Sequence, residues 1–275
     1  MKKISEDIVR LMFQKYSIDI SMFSDTFLEN TIGSRITATD SKHPGQYIKT
    51  LTGENSEALL LRSSLSNSYS IFYRNPLTFS MLYQFVLPKI IGEKEKNHDP
   101  EIRIWSAGCA SGQEAYSLAM LADDMCGKTN GTVRYRIFAT DILTTELQTA
   151  AEGTYNFDEI LNLPFRHIDN YFSRSGDTFT IKDSLKKHIE FSQYDLLEEA
   201  SSAPPASIFG DFDLVMCSNL LFYYKPEFQK VILEKFSRSI REGGFLITGE
   251  AETGIVNATR GFRNYMSPAA VFVKG

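Results

Sequence analysis

The 275-residue chain is long enough for two small domains, and its 43% hydrophobic and 23% charged residues are ordinary for a globular protein. A net charge of −5 argues against a nucleic-acid binder. Because the sequence contains neither a membrane-length apolar run nor a signal peptide, we expect a cytoplasmic protein without membrane insertion. Three cysteines and four histidines lack metal-ligand or catalytic spacing, so we expect no metal site.

Residues 1–91 are predicted to form an all-helical N-terminal domain. Apolar residues recurring at three- and four-residue spacing, together with start and stop signals, predict helices over 4–16, 24–36, 43–53 and 75–91. The last of these begins with Asn75 as the cap and Pro76 in the first turn, where proline is favoured. The polar stretch 92–100, which contains glycine and proline, is the predicted linker to the next domain.

From residue 101 onward, predicted strands alternate with predicted helices. We predict strands over 102–108, 135–141, 189–195, 212–219, 243–250 and 270–275, and helices over 112–126, 143–151 and 226–241. This alternation predicts an α/β domain, 101–275, with a mostly parallel sheet and helices on both faces. Residues 171–191 break the alternation, because "SGD" separates two short alternating runs. That pattern predicts a small antiparallel β-hairpin inserted in the domain.

The stretch IRIWSAGCASGQEAYSLAM, residues 102–120, predicts a strand, a turn of small residues and a helix. Gly108 permits a positive φ angle or a close approach of a ligand to the backbone, and the N-terminus of the next helix points to the same place. The G-x-x-x-G spacing differs from the dinucleotide-binding G-x-G-x-x-G. The alternative interpretation is a tight strand–helix connection without a ligand.

Two carboxylates accompany this turn. Asp141 ends the second predicted strand, where an acidic residue accepts hydrogen bonds from ribose hydroxyls; the alternative is a cap for the following helix. Glu114 lies in the first turn of the first helix of the α/β domain, where it is either a dipole-stabilised surface residue or a ligand for an ammonium group. Because a pyrophosphate would be repelled there, the pair favours S-adenosylmethionine over NAD.

Five ordered segments together resemble the chemotaxis-type protein-glutamate methyltransferases, the CheR family. Residues 105–120, WSAGCASGQEAYSLAM, are similar to its WSAG-small-small-GEEPYSLAM signature. Residues 68–88 resemble its NxTxFFRxPxxF…LP segment, and FATDI resembles its ATDI. CSNLLFYYKPEFQKVILEKF and REGGFLITGEAET resemble its CRNVLIYFxxxxQxxxL and xPGGxLxxGxSE. The resemblance covers almost the whole chain.

The resemblance implies a Rossmann-like S-adenosylmethionine-dependent methyltransferase domain with an all-helical N-terminal domain and a small antiparallel β insert. It implies methyl transfer to glutamate side chains of a protein acceptor, the cytoplasmic region of a chemoreceptor, with S-adenosylhomocysteine as product and no nucleic-acid partner. By motif position, the implied cofactor-binding residues are Ser68, Ser70, Arg74, Gly108, Glu114, Asp141, Asp195, Leu196, Ser218 and Asn219. The implied catalytic residues are Arg74 and Tyr223, and no metal is implied.

The chemistry suits these residue types. A glutamate carboxylate is already ionised at neutral pH, with an ordinary pKa of about 4.3, and therefore needs no general base. Arg74 offers a fork of donors for the incoming carboxylate, and the Tyr223 hydroxyl is suited to orienting that group. The alternatives are that Arg74 extends into solvent and that Tyr223 is a core ring at a strand end.

Two other functions stay open. Ser218 stands where the CheR motif has arginine and Asp195 where it has asparagine, which favours a cofactor-binding regulatory or scaffold protein without activity. A methyltransferase with a different acceptor, such as a small molecule, is the second. The short insert, with only "SGDTF" at its tip, resembles the version that does not grip a receptor-tail peptide, so we expect at most weak peptide affinity there.

Overall fold

The computed structural model of the protein describes residues 2–66, 69–97, 99–129, 131–207 and 209–275. Residues divide into two compact units. The first comprises Met1–Asn67 with Phe222–Gln229, and the second comprises Ser68–Leu221 with Lys230–Gly275. No helix in the described ranges is long and apolar enough to cross a bilayer.

The α-helices of the described residues are α1 (Lys2–Tyr16), α2 (Asp25–Ala38), α3 (Pro44–Gly53), α4 (Asn55–Ser64), α5 (Pro76–Met81), α6 (Leu87–Lys96), α7 (Gln113–Cys126), α8 (Thr144–Glu152), α9 (Phe165–Tyr171), α10 (Asp183–Lys186), α11 (Pro226–Ser239) and α12 (Thr253–Asn257). A π-helical turn, Leu82–Val86, joins α5 to α6. The Asn75 side chain accepts the N–H of Thr78 at 3.1 Å, which confirms the predicted cap.

The strands are β1 (Glu101–Ala107), β2 (Arg134–Asp141), β3 (Thr154–Asn156), β4 (Phe172–Ser175), β5 (Thr178–Ile181), β6 (Ile189–Gln193), β7 (Phe212–Cys217), β8 (Ile240–Thr248), β9 (Phe262–Met266) and β10 (Val271–Lys274). Seven of them form one sheet in the order β6-β2-β1-β7-β8-β10-β9. Neighbours from β6 to β8 are parallel, and β10 runs antiparallel to both of its neighbours. The predicted mostly parallel α/β sheet is therefore confirmed.

The strand order reverses between β1 and β7. From β1 the chain builds outward through β2 to β6, and it then returns to build β7 and β8 on the other side. In open α/β sheets, ligands bind outside the carboxyl ends of the strands at such a reversal. The carboxyl ends of β1, β2 and β7 are therefore where a site is expected.

The inserted sheet has three strands, in the order β3-β5-β4 and all antiparallel. The predicted hairpin consists of β4 and β5, which are joined through Gly176. The additional strand β3 precedes β4 in the sequence. The predicted insert range, 171–191, also includes the start of β6, which instead pairs in parallel with β2 in the main sheet.

The division into units differs from the predicted boundary at residue 91. Residues from Phe72 to Ile91 contribute buried side chains to the core of the second unit. The predicted linker 92–100 is in part helical, because α6 continues to Lys96. In this part of α6, the Lys94 ammonium group pairs with the buried Asp213 carboxylate at 3.1 Å. Helix α4 and strand β9 were not predicted.

In the first unit, the predicted apolar faces form the core. Ile8 and Met12 of α1 and Leu28 and Ile32 of α2 are buried together, as their four-residue spacing requires. Helix α4 joins them through Leu61 and other buried residues.

Candidate functional site

The glycine turn after β1 is tied to the neighbouring strands. Gly108 has a φ of +78°, and its N–H and that of Cys109 donate to the carbonyl of Thr140 at 2.8 and 2.9 Å. A Cβ atom at Gly108 would meet the Leu220 side chain at 2.9 Å. The left-handed φ angle favours glycine here, whereas the contact could be relieved by a shift of the flexible Leu220 side chain. The turn therefore lies against the end of β2 and the loop after β7.

Glu114, in the first turn of α7, is half-buried beside this turn, and its Oε1 accepts the hydroxyl of Ser106 at 2.7 Å. The pKa of Glu114 is raised to about 7, chiefly by burial and in part by the Glu252 carboxylate, whereas the Ser106 and Ser218 hydroxyls and the charge of Arg74 oppose the rise. A carboxylate whose charge is disfavoured in this way is stabilised by a positively charged ligand. The surroundings therefore fit the ammonium group of S-adenosylmethionine.

Asp141, at the end of β2, accepts two backbone hydrogen bonds. Its Oδ2 accepts the N–H of Ala110 at 2.9 Å, and its Oδ1 accepts the N–H of Leu143 at 3.0 Å. Burial raises its pKa, and these backbone bonds oppose the rise. Asp141 thus supports the turn before α8, but it does not cap that helix, whose N-cap residue is Leu143 and receives no side-chain cap bond. Each carboxylate oxygen accepts more than one bond, so capacity for ribose hydroxyls remains.

The loop after β7 is organised by Glu252, a residue that our sequence analysis did not assign. Its side chain is fully buried. Its carboxylate accepts the N–H groups of Asn219, Leu220 and Leu221 at 2.9, 2.7 and 2.6 Å, and that of Gly249 at 2.7 Å. Asn219 adopts a φ of +61° in this loop. The available signal was the position of Glu252 at the glutamate of the xPGGxLxxGxSE segment.

Ser218, at the end of β7, has a buried hydroxyl that makes no hydrogen bond of normal geometry, although it lies close enough to Glu114 to lower the pKa of that carboxyl. Ser192 in β6 is a second buried hydroxyl without a partner among the described residues. Buried polar groups are usually satisfied, and an unsatisfied one is costly. The Ser218 hydroxyl, close to Glu114 but without a well-formed bond among the described residues, therefore fits a site for a polar ligand.

Arg74 follows a segment that is anchored to α7. Phe72 is fully buried, and the N–H of Tyr73 donates to the Ser117 hydroxyl at 3.1 Å. Arg74 itself is exposed and donates to the carbonyl of Tyr69 at 3.0 Å. Its charge nevertheless lowers the pKa of Glu114. Arg74 therefore lies within electrostatic reach of the predicted cofactor site. It belongs to the second compact unit, whereas the sequence analysis placed it in the N-terminal helical domain.

Two predicted adenosine-border residues follow β6, next to Asp141. The N–H of Tyr194 donates to the carbonyl of Asp141 at 3.0 Å. Asp195 is exposed and accepts the N–H of Leu197 at 2.8 Å, whereas Leu196 is buried. Their predicted contacts with adenosine stay predictions.

Ser70, Ser68 and Tyr223 are the remaining predicted residues. Ser70 is half-buried in the Arg74 segment, and Ser68 lies outside the described residues. Tyr223 belongs to the first compact unit, where its ring lies 4.4 Å from that of Phe27. Tyr223 is half-buried and does not belong to the buried core, and its catalytic role stays a prediction.

Comparisons with known proteins identify the family of this chain. The family described as "CheR methyltransferase, SAM binding domain" matches residues 68–271. The chain is 30% identical over 268 residues to the chemotaxis protein methyltransferase of Borreliella burgdorferi, covering 95% of this chain and 91% of that protein. It is 30% identical over 246 residues to that of Listeria monocytogenes, covering 88% and 87%. A solved structure of the DszA carbon methyltransferase aligns with a TM-score of 0.41 and 11% identity over 71% of this chain and 54% of that one. This chain belongs to the CheR methyltransferase family and carries its S-adenosylmethionine-binding domain.

Proposed function

We propose that this protein transfers the methyl group of S-adenosylmethionine to glutamate side chains of a protein acceptor, the cytoplasmic region of a chemoreceptor. The observation that carries the proposal concerns Glu114, a half-buried carboxylate that accepts the hydroxyl of Ser106 at the end of β1. Burial disfavours the negative charge of Glu114. A ligand ammonium supplies the positive charge that this carboxylate lacks. Family membership and the names of the relatives support the same function.

The residues divide the work between binding and orientation. S-adenosylmethionine, when bound, supplies a methyl group on a sulfonium, which is a good leaving group. Glu114 holds the ammonium group. Asp141 accepts hydrogen bonds from the ribose hydroxyls, because each of its oxygens can accept a further bond besides the one from the backbone. Arg74 neutralises and orients the acceptor carboxylate, which is ionised at neutral pH without a base. The protein's main contribution is then placement of one oxygen against the methyl group.

A methyl-transfer assay tests the function. The protein is incubated with radiolabelled S-adenosylmethionine and cytoplasmic fragments of candidate chemoreceptors, and the labelled product is treated with alkali. We expect label on the receptor fragment that alkali releases as methanol, since a glutamate methyl ester is hydrolysed by base. Binding of S-adenosylhomocysteine without transfer to any fragment would favour the regulatory or scaffold alternative. Alkali-stable label, or label on a small molecule only, would favour a different acceptor. A chelator should leave the rate unchanged if no metal takes part.

Replacing Arg74 with alanine should lower kcat by about tenfold or more, because a charge-assisted hydrogen bond to the acceptor carboxylate is lost. The melting temperature should change little, since Arg74 is exposed and its hydrogen bond goes to the nearby carbonyl of Tyr69. The exposed Arg260 provides a matched control, and Arg260→Ala should leave kcat unchanged. Parallel losses of kcat and melting temperature in Arg74→Ala would indicate a structural role instead.

The insert is expected to bind receptor-tail peptides weakly. Its edge strands, β3 and β4, contain only three and four residues, which leaves little edge for strand addition. Titration of a receptor C-terminal peptide against the whole protein should give a Kd above about 0.1 mM, indistinguishable from that of a scrambled peptide. Micromolar affinity for the native peptide alone would show that the insert, or another surface, does capture the receptor tail.

A further inference from the structure

A buried chain of hydrogen bonds begins at Tyr73, the residue that precedes Arg74. The Tyr73 hydroxyl lies 3.0 Å from His167 Nδ1, and His167 Nε2 lies 3.1 Å from Asp124 Oδ2. Tyr73 is 9% exposed and His167 is 2% exposed. All three residues belong to the second compact unit, and the function proposed above does not use His167 or Asp124.

The direction of each bond follows from the partners. Asp124 pairs with Arg166 at 2.6 Å, and the Tyr171 hydroxyl lies 3.0 Å from both Asp124 Oδ1 and Asp123 Oδ2. The ion pair with Arg166 makes the Asp124 carboxylate an acceptor only. His167 Nε2 must then carry the proton, which leaves Nδ1 to accept the hydroxyl of Tyr73. Burial lowers the pKa of His167, in agreement with a neutral ring. The chain thus runs from the Tyr73 hydroxyl through His167 to Asp124.

Tyr73 also has a strained backbone. Its φ of +48° is left-handed, a conformation that is unfavourable for a bulky residue and persists only where several contacts enforce it. The contacts here are its N–H on the Ser117 hydroxyl, its ring 4.8 Å from that of Phe79, and its hydroxyl on His167. The conformation of Tyr73 sets the direction in which the chain presents the next side chain, Arg74.

We propose that Tyr73, His167 and Asp124 are positioning residues that set the direction of Arg74 by fixing the left-handed conformation of Tyr73. The proposal rests on the proposed role of Arg74. Among the charged groups that influence Glu114, Glu252 raises the pKa of its carboxyl and Arg74 lowers it. We expect the loss of the Tyr73 hydroxyl, one of these three contacts, to loosen the conformation and shift Arg74, which would raise the pKa of Glu114 without any change in the groups that touch Glu114.

The test is the pH dependence of S-adenosylhomocysteine binding, measured by calorimetry on the whole protein. Affinity is lost as the pH falls, and the pH at which half of that loss has occurred is the binding midpoint. In Tyr73→Phe this midpoint should move upward by roughly half a pH unit or more. In an Arg74→Ala background the same substitution should cause no further shift, because the charge that it displaces is gone. On a receptor fragment that the wild-type protein methylates, Tyr73→Phe should also lower kcat by roughly threefold.

Tyr135→Phe is the matched control, since it removes a buried hydroxyl that lies 3.2 Å from the neighbouring Asp123. It should lower stability as Tyr73→Phe does and leave the binding midpoint in place. An unmoved midpoint in folded Tyr73→Phe, or an equal shift in the Arg74→Ala background, would overturn the positioning role. If Arg74→Ala alone moves neither midpoint nor kcat, the role of Arg74 fails and the positioning role with it, whereas Glu114-dependent binding would still stand.

Discussion

Replacing Glu114 with glutamine should weaken S-adenosylhomocysteine binding by about 100-fold while making the ligand-free protein more stable. Glutamine keeps the size of the side chain and an oxygen for the Ser106 hydroxyl, but it removes the charge that holds the ligand ammonium. The same charge is unfavourable without a ligand, because burial raises the pKa of Glu114 to about 7. Affinity and stability should therefore change in opposite directions.

The pH dependence gives the sign of this effect. The pKa of Glu114 is raised from 4.5 in the unfolded chain to about 7 in the folded protein. Between these values the folded protein binds a proton that the unfolded chain does not, so the stability of the wild-type protein falls as pH rises. The stability advantage of Glu114→Gln should be absent at about pH 4.5 and complete above about pH 7. Ligand affinity should fall as pH drops below about 7, since the ammonium needs the ionised carboxylate.

Thermal melting and calorimetry at several pH values measure both effects. Glu152, an exposed glutamate at the end of α8, provides a control, and Glu152→Gln should change neither quantity. Unchanged affinity in Glu114→Gln would mean that the ligand binds elsewhere, and the function proposed from Glu114 would lose its support. Lower stability at about pH 8 would contradict the raised pKa.

Replacing Glu252 with glutamine should destabilise the second unit by about 3–5 kcal/mol. The carboxylate accepts four backbone N–H groups, and an amide in its place turns one acceptor oxygen into a donor that faces two of them. Because the same loop carries Ser218 and Asn219, S-adenosylhomocysteine affinity should fall as well. Urea unfolding monitored by circular dichroism measures the loss of stability.

The neighbouring Glu250 offers a close control, since its side chain is exposed. Glu250→Gln should unfold at the wild-type urea concentration and bind S-adenosylhomocysteine normally. If Glu252→Gln matched it in both measurements, the loop after β7 would be held by other contacts, and Glu252 would have no special structural role.

Short-range features of this protein were predictable from sequence. Asn75 and Pro76 mark a helix start by their own chemistry, and the apolar runs of β1, β2, β7 and β8 mark buried parallel strands. The glycine turn, Glu114 and Asp141 follow strand ends, and parallel strands bring such ends together at one edge of the sheet. These predictions needed only residue type, spacing and the rule for ligand sites in α/β sheets.

Helix α4 and the extent of α6 were harder to predict. In α4, Leu59 and Leu60 are exposed whereas Glu57 is buried, which reverses the usual pattern. Glu57 is tolerated there because Arg35 donates to it at 2.9 and 2.6 Å from α2, and Tyr47 donates at 2.8 Å from α3. No local pattern indicates such partners.

By itself, the sequence determined the fold class, the family and the edge of the sheet where Glu114 and Asp141 lie, since each depends on residue type and local spacing. Only the tertiary structure decided that Glu252 closes the loop after β7 and that Tyr73 bonds to His167, 94 residues away. It also decided the environment that raises the pKa of Glu114 to about 7. These features depend on burial and on pairs of groups distant along the chain, which come together only when the core has formed.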